Sequence, residues 1–227
     1  LETWNGIISL LIACIELILL VNILALAEKN KTSRSGILII ALLFCYQLIE
    51  FIICHFNSEA PALIYTAFVI ISFLPPLSFY HSANLIRGGF SSRLKLIFLP
   101  SIFFSLLYLL MIDDFDVTAC SVFYASFNYP LSTLFGIFFY LPVAASMLHL
   151  YLQIKNEKSG KRTFLSKIIL AGYIIALLPA AAAFILAAFD SYFLLSIIES
   201  ITGKFALVPA LCIGFVSIYG RKPKTLR

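Results

Sequence analysis

Charged residues are scarce in this chain: 12 % of its 227 residues are Asp, Glu, Lys or Arg, while 62 % are apolar. A soluble domain of that length needs polar surface, and almost none exists outside a few short loops, so an ordinary water-soluble fold is excluded. No glycine-rich phosphate loop, nucleophile elbow or Walker motif occurs, which removes the usual sequence marks of nucleotide hydrolysis and acyl transfer. The three histidines, His55, His81 and His149, fall on separate segments, and no metal site collects them. Tryptophan is nearly missing too. Trp4 is the one example, placed ahead of the first apolar run, where an indole anchors a helix at the membrane interface.

What remains is apolar sequence in seven long runs, at about 5–27, 36–55, 61–86, 96–112, 130–153, 163–189 and 191–219. Such continuous runs predict membrane-spanning helices, whereas a β-barrel would show weaker ten-residue alternation. The run beginning near Ile7 is too long for a signal-peptide core and has no basic flank before it. Because the chain opens on Leu1 without a methionine, the expectation is that an upstream signal or a few residues have been removed or left out. Lys and Arg are one-sided. The linkers after the first, third and fifth runs and the basic tail hold nearly all of them, and the linkers after the second, fourth and sixth hold none. The positive-inside rule then predicts an all-α polytopic membrane protein, one seven-transmembrane-helix bundle over 1–227 with its N-terminus outside and its C-terminus cytoplasmic. That distribution accounts for the net charge of +5 without invoking nucleic acid, and it makes the lipid bilayer the first partner. Asn30-Lys31-Thr32 has the form of a glycosylation acceptor but falls on the cytoplasmic side.

Pro75, Pro76, Pro142, Pro179 and Pro209 lie inside predicted spans, where each removes a backbone hydrogen bond. Two readings are open: tolerated bending, or kinks that open a cavity or serve as hinges. The run Leu177-Leu-Pro-Ala-Ala-Ala-Ala-Phe184 offers small residues for close helix contact, which is a packing signal.

The ionisable residues inside the runs carry the functional content. A charge at the bilayer centre costs roughly 2.5–3.5 kcal/mol on insertion scales. The seventh run nevertheless contains Glu199 and Lys204, the first Glu16, and the second Gln47 and Glu50. Counting inward from the outer surface at about 1.5 Å per residue, Glu16 and Lys204 lie roughly 16–18 Å deep, and Glu50 and Glu199 roughly 8–11 Å. In a sequential bundle the first, second and seventh helices are neighbours. Two layers are therefore expected, a Lys204–Glu16 ion pair near the midplane and a Glu50–Glu199 carboxyl pair above it. Five residues separate Glu199 from Lys204, about 140° around a helix, so pairing across helices is more natural than pairing within one. These groups either fasten the three helices together or form a ligand or proton site, in which two close carboxyls share a proton.

The cysteines divide by depth. Cys54 and Cys120 both fall on the outer side and could form a disulfide tying the loop of about seventeen residues after the fourth run to the second helix; Cys120 could equally be free. Cys14, Cys45 and Cys212 are intramembrane and read as packing residues.

From the third run onward the chain resembles the seven-helix N-terminal sensor region of bacterial histidine kinases. The resemblance is carried by Leu74-Pro-Pro-Leu-Ser-Phe-Tyr-His81, Arg87-Gly-Gly, Pro100, and the basic segment from Lys155 to Arg162 leading to Leu177-Leu-Pro179. It implies a bacterial cytoplasmic membrane and a signal handed to a cytoplasmic output domain beyond Arg227 or on a separate protein. A second resemblance is to the retinal-attaching segment of microbial rhodopsins: Lys204 midway along the seventh run, preceded by Glu199 and Ser200, with Pro179 in the sixth. It implies a Schiff base at Lys204 with Glu16, Glu50 or Glu199 as counterion. Against that pattern, the 61–86 run holds no acidic residue and Trp4 cannot line a retinal pocket. A seven-helix zinc hydrolase is excluded by the scattered histidines.

The expected function is thus a non-catalytic heptahelical receptor or sensor. It would bind a small ligand or proton in the outer half of the bundle through Glu16, Gln47, Glu50, Glu199 and Lys204, with signalling to the cytoplasmic side. A retinal protein, a transporter and a structural subunit of a membrane complex are the alternatives. The absence of internal repeats speaks against a transporter.

Overall fold

The computed structural model of the protein describes residues 5–56, 58, 60–85, 92–122, 125–156, 160–188 and 203–220. Trp4, Arg87, Asp190, Glu199 and Ser200, the first half of the 191–219 run and the basic tail lie outside these residues. The described residues contain seven α-helices: α1 (Ile7–Leu26), α2 (Lys31–His55), α3 (Pro61–Leu85), α4 (Leu99–Leu109), α5 (Ser132–Asn156), α6 (Gly160–Ala188) and α7 (Leu207–Tyr219). Five of them are long and apolar enough to cross a membrane, namely α1, α2, α3, and the stretches Leu134–Asn156 of α5 and Gly160–Ala182 of α6. At 1.5 Å per residue, even the 20 residues of α1 reach about 30 Å, the thickness of a hydrocarbon core. The helices turn apolar side chains outward as well as inward. On α5, Ile137, Leu141, Leu148 and Leu152 form an exposed stripe, and on α1 Leu17, Ile18, Val21 and Leu24 do the same.

The helices form a closed ring. In chain order α1 packs on α2, α2 on α3, α3 on α5, α5 on α6 and α6 on α7, and α7 returns to both α1 and α2; α4 lies against α3 and α5. Helix α2 shows why the ring closes where it does. Gly36, Ile40, Leu43, Gln47, Glu50 and Cys54 are spaced alternately by three and four residues and are all buried, a single stripe along the helix. Asn30, in extended conformation, caps the start of α2 by accepting a hydrogen bond from the Ser33 amide at 2.7 Å. The helix therefore begins at Lys31, five residues ahead of the expected 36, because a cap and not hydrophobicity sets its start. Two glycines bring α7 in tightly. A Cβ on Gly36 would meet Ile213 and Ser217 at 2.9 Å, and one on Gly214 would meet Leu19 of α1 at 2.5 Å.

The prolines of α3 have a specific accommodation. Pro76 has no amide hydrogen to give the Ser72 carbonyl one turn back, and Ser101 of α4 donates its hydroxyl to that oxygen at 2.6 Å. Ser72 and Ser101 are both buried, so water does not substitute. Ser101→Ala is expected to lower stability by about 1 kcal/mol, read from the unfolding midpoint in detergent. Ser105→Ala, which removes only a hydroxyl bonded within α4 at 2.8 Å, is the quiet control.

The region between α4 and α5 is not the open loop expected from sequence. A short 3-10 turn (Ile112–Asp114) leads into an antiparallel hairpin of β1 (Asp116–Cys120) and β2 (Ala125–Asn128). Asp116 pairs with Asn128 and Cys120 with Ala125, with an irregularity between Val117 and Ala119. Its base is fixed by an aromatic cluster in which Phe68, Phe104, Tyr108, Phe115 and Phe135 are buried and Tyr129 packs alongside. The hairpin sits over the start of α1 and the end of α2. The described basic residues Lys29, Lys31, Arg34, Lys95, Lys155 and Lys161 belong to the opposite end, where α1 meets α2, α3 ends, and α5 meets α6.

Candidate functional site

Helices α1 and α2 present acceptors to Lys204, just ahead of α7, and the hairpin reaches the same Glu50 carboxylate. Its ammonium donates to Glu50 Oε1 at 2.5 Å, to Ser9 Oγ at 2.7 Å and to Gln47 Oε1 at 3.1 Å. Those three acceptors use all three of its protons. Gln47 is held at its other end by Nε2 donating to the Gly203 carbonyl at 3.2 Å, which fixes which way the amide faces. Glu50 Oε1 also accepts the backbone N–H of Ala125, at 3.1 Å, from the first residue of β2. Glu50 and Gln47 are almost wholly buried, and the Lys204 side chain is 11 % exposed. The arrangement follows from the α2 stripe: positions 47, 50 and 54 share a face, and that face meets α7 and the hairpin.

Glu16 stands apart. It is fully buried on α1, and among the described residues neither carboxyl oxygen has a hydrogen-bond partner. It shares a face with Ser9, two turns toward the hairpin, and lies within Coulombic reach of Lys204. The expected Lys204–Glu16 ion pair is therefore corrected: Lys204 pairs with Glu50. The depth count treated each residue as a point at its Cα, whereas a lysine stem lets the ammonium travel more than a turn along the bundle axis. The expected partner of Glu50, Glu199, lies outside the described residues. Ser9 was missed. Its spacing of seven residues from Glu16 on the same helix was the available signal.

Cys54 and Cys120 are joined as a disulfide, with Cα atoms 5.4 Å apart, one helical turn beyond Glu50. Cys14 and Cys45 are exposed on the apolar exterior and Cys212 is half-buried. The histidines stay apart, and among the described residues no group of His, Cys, Asp and Glu is arranged to hold a metal ion. His55 is exposed beside Phe51 and Phe56, whereas His81 is buried at the basic end with Nδ1 3.0 Å from Ser35 Oγ. The acceptor set around Lys204 matches an ammonium ion, one oxygen for each of its three protons.

Comparison of the chain with protein families, curated proteins and solved structures finds no match. The chemistry of the site consequently rests on its own geometry. Among the described residues, two buried carboxyls share one buried ammonium, so the fully ionised cluster carries one uncompensated negative charge. In a low-dielectric interior such a charge is costly unless a proton or a cation joins it.

Proposed function

We propose that this chain is a heptahelical membrane receptor or sensor whose input is a proton or small cation taken up beside Glu16. The observation that carries the reading is the charge imbalance among the described residues: Glu16 and Glu50 against Lys204, with both Glu16 oxygens unpartnered among those residues. With Glu16 neutralised, Lys204 is held by Glu50, Gln47 and Ser9. With Glu16 ionised, the ammonium is attracted toward α1, and the backbone leading into α7 that carries it is biased relative to α2. That is a two-state element whose populations a bound proton or cation shifts.

The one-sided basic residues support a seven-span topology with the hairpin outside and the basic end cytoplasmic. A disulfide on the hairpin side agrees with an oxidising exterior. On this reading the protein resides in a bacterial cytoplasmic membrane, and its basic face hands the signal to a cytoplasmic output domain or partner protein.

The test is pH-jump infrared difference spectroscopy on the full chain in lipid nanodiscs. Wild type is expected to give a buried carboxylic C=O band together with a backbone amide change. Glu16→Gln is expected to lose both. A Glu16→Gln difference spectrum identical to wild type would sink the proposal.

A further inference from the structure

We infer that the β1–β2 hairpin is a lid over Glu50 and that the Cys54–Cys120 disulfide is its reducible lock. Glu50 and Cys54 lie one turn apart on the same face of α2. Cys120 ends β1, and its register partner Ala125 begins β2 and places its N–H on Glu50 Oε1. The covalent bond and the hydrogen bond therefore act on the two strands at one rung of one hairpin. Fixing Cys120 to Cys54 fixes the Ala125 amide over the carboxylate.

Beside that rung the hairpin also meets the start of α1. The Gly6 amide donates to the Ser121 carbonyl at 2.9 Å and the Ile8 amide to the Val122 carbonyl at 3.4 Å, so the hairpin supplies acceptors for amides at the start of α1. The strands are short, β1 is mostly exposed, and its pairing is interrupted between Val117 and Ala119. A lone two-stranded hairpin of this kind is marginal by itself. Its other end is anchored differently, by Phe115 and Tyr129 in the aromatic cluster. An anchored base and a covalently latched far rung make a hinge and a catch.

The release chemistry needs a dithiol as reductant. Cys54 is buried and Cys120 half-buried, so the incoming thiolate attacks Cys120 Sγ. The sulfur–sulfur bond breaks, Cys54 leaves as a thiolate and takes a proton, and a mixed disulfide forms on Cys120. The second thiol of the reductant then displaces Cys120 and departs as its own disulfide. Two electrons pass to the protein and two cysteine thiols result. With the catch open, the Ala125 N–H leaves Glu50 and the cluster meets water from the hairpin side. The lock stands on the geometry alone; only this consequence, regulated access of protons or cations to the cluster of Glu50, Lys204 and Glu16, rests on the sensor reading.

Hydrogen exchange by mass spectrometry on the full chain in nanodiscs, with and without dithiothreitol, tests the lock. Peptides covering 116–128 are expected to exchange roughly ten-fold faster once reduced, while α5 and α6 keep their protection. Cys120→Ser is expected to show the fast exchange without reductant and no response to it. Unchanged hairpin exchange, in protein whose two thiols alkylation proves free, overturns the lock. A hairpin that opens while the rate of the carboxyl infrared response stays the same overturns its role as a lid. If the carboxyl band is missing in both redox states, the sensor reading fails, and the exchange result still decides the lock.

Discussion

Lys204→Met is expected to cost about 3–5 kcal/mol of stability, the largest single effect at the site, because it leaves the buried Glu50 carboxylate without its cation. Ser9 Oγ and Gln47 Oε1 lose their donor in the same change, and the charge balancing Glu16 is gone as well. The control is the double variant Lys204→Met with Glu50→Gln, which removes the charge together with its partner and is expected to regain most of the loss. Denaturant titration of wild type, Lys204→Met, Glu50→Gln and the double variant in mild detergent gives the coupling energy directly. A Lys204→Met protein as stable as wild type would contradict a desolvated pair. The comparison also separates electrostatics from packing, since methionine keeps most of the stem that lysine lays between α1 and α2.

The second large effect is expected in the aromatic cluster. Tyr108 is fully buried and touches Phe68, Phe104, Phe115, Tyr129 and Phe135. Its hydroxyl donates to the Pro130 carbonyl, just after the hairpin. Tyr108→Ala opens a cavity at the centre of that cluster and is expected to cost about 3–5 kcal/mol, as deletion of a buried ring does. Tyr108→Phe keeps the rings and loses one hydrogen bond, so about 1 kcal/mol is expected. The two losses are read by thermal unfolding in detergent. Near-equal losses would mean that the hydroxyl and not the ring packing fixes the hairpin base. The stability of the base bears on function, because Phe115 and Tyr129 set the position from which β2 reaches Glu50.

The two ends of the bundle differ in how they use buried polar groups. At the hairpin end the cluster is charged and cross-linked through Lys204. At the basic end the groups are neutral. His81 and Ser35 meet between α2 and α3, and Thr32 donates to the Asn84 carbonyl at 3.2 Å. Hydrogen bonds of that kind fix helix positions.

Several features were legible in the residues alone. Long apolar runs and one-sided Lys and Arg identify the helices and their alternation, since a helix in lipid satisfies its own backbone and needs only length and hydrophobicity. The rare polar residues of the spans, Glu16, Gln47, Glu50 and Lys204, were legible as inward-facing for the same reason. Cys54 and Cys120 were legible as candidates for one bond, though not as a bonded pair. Pairing was decided only in three dimensions. In a bilayer the outside of a helix is as apolar as its inside, so hydrophobic periodicity does not say which faces meet. Which carboxylate Lys204 takes depends on the reach of its stem, on Gly36 and Gly214 letting α7 approach, and on Gln47 being held by Gly203. Nor does any local pattern announce that Ala125, distant in sequence, donates to Glu50. That contact exists because the aromatic cluster and the disulfide bring a short hairpin back over the end of α2.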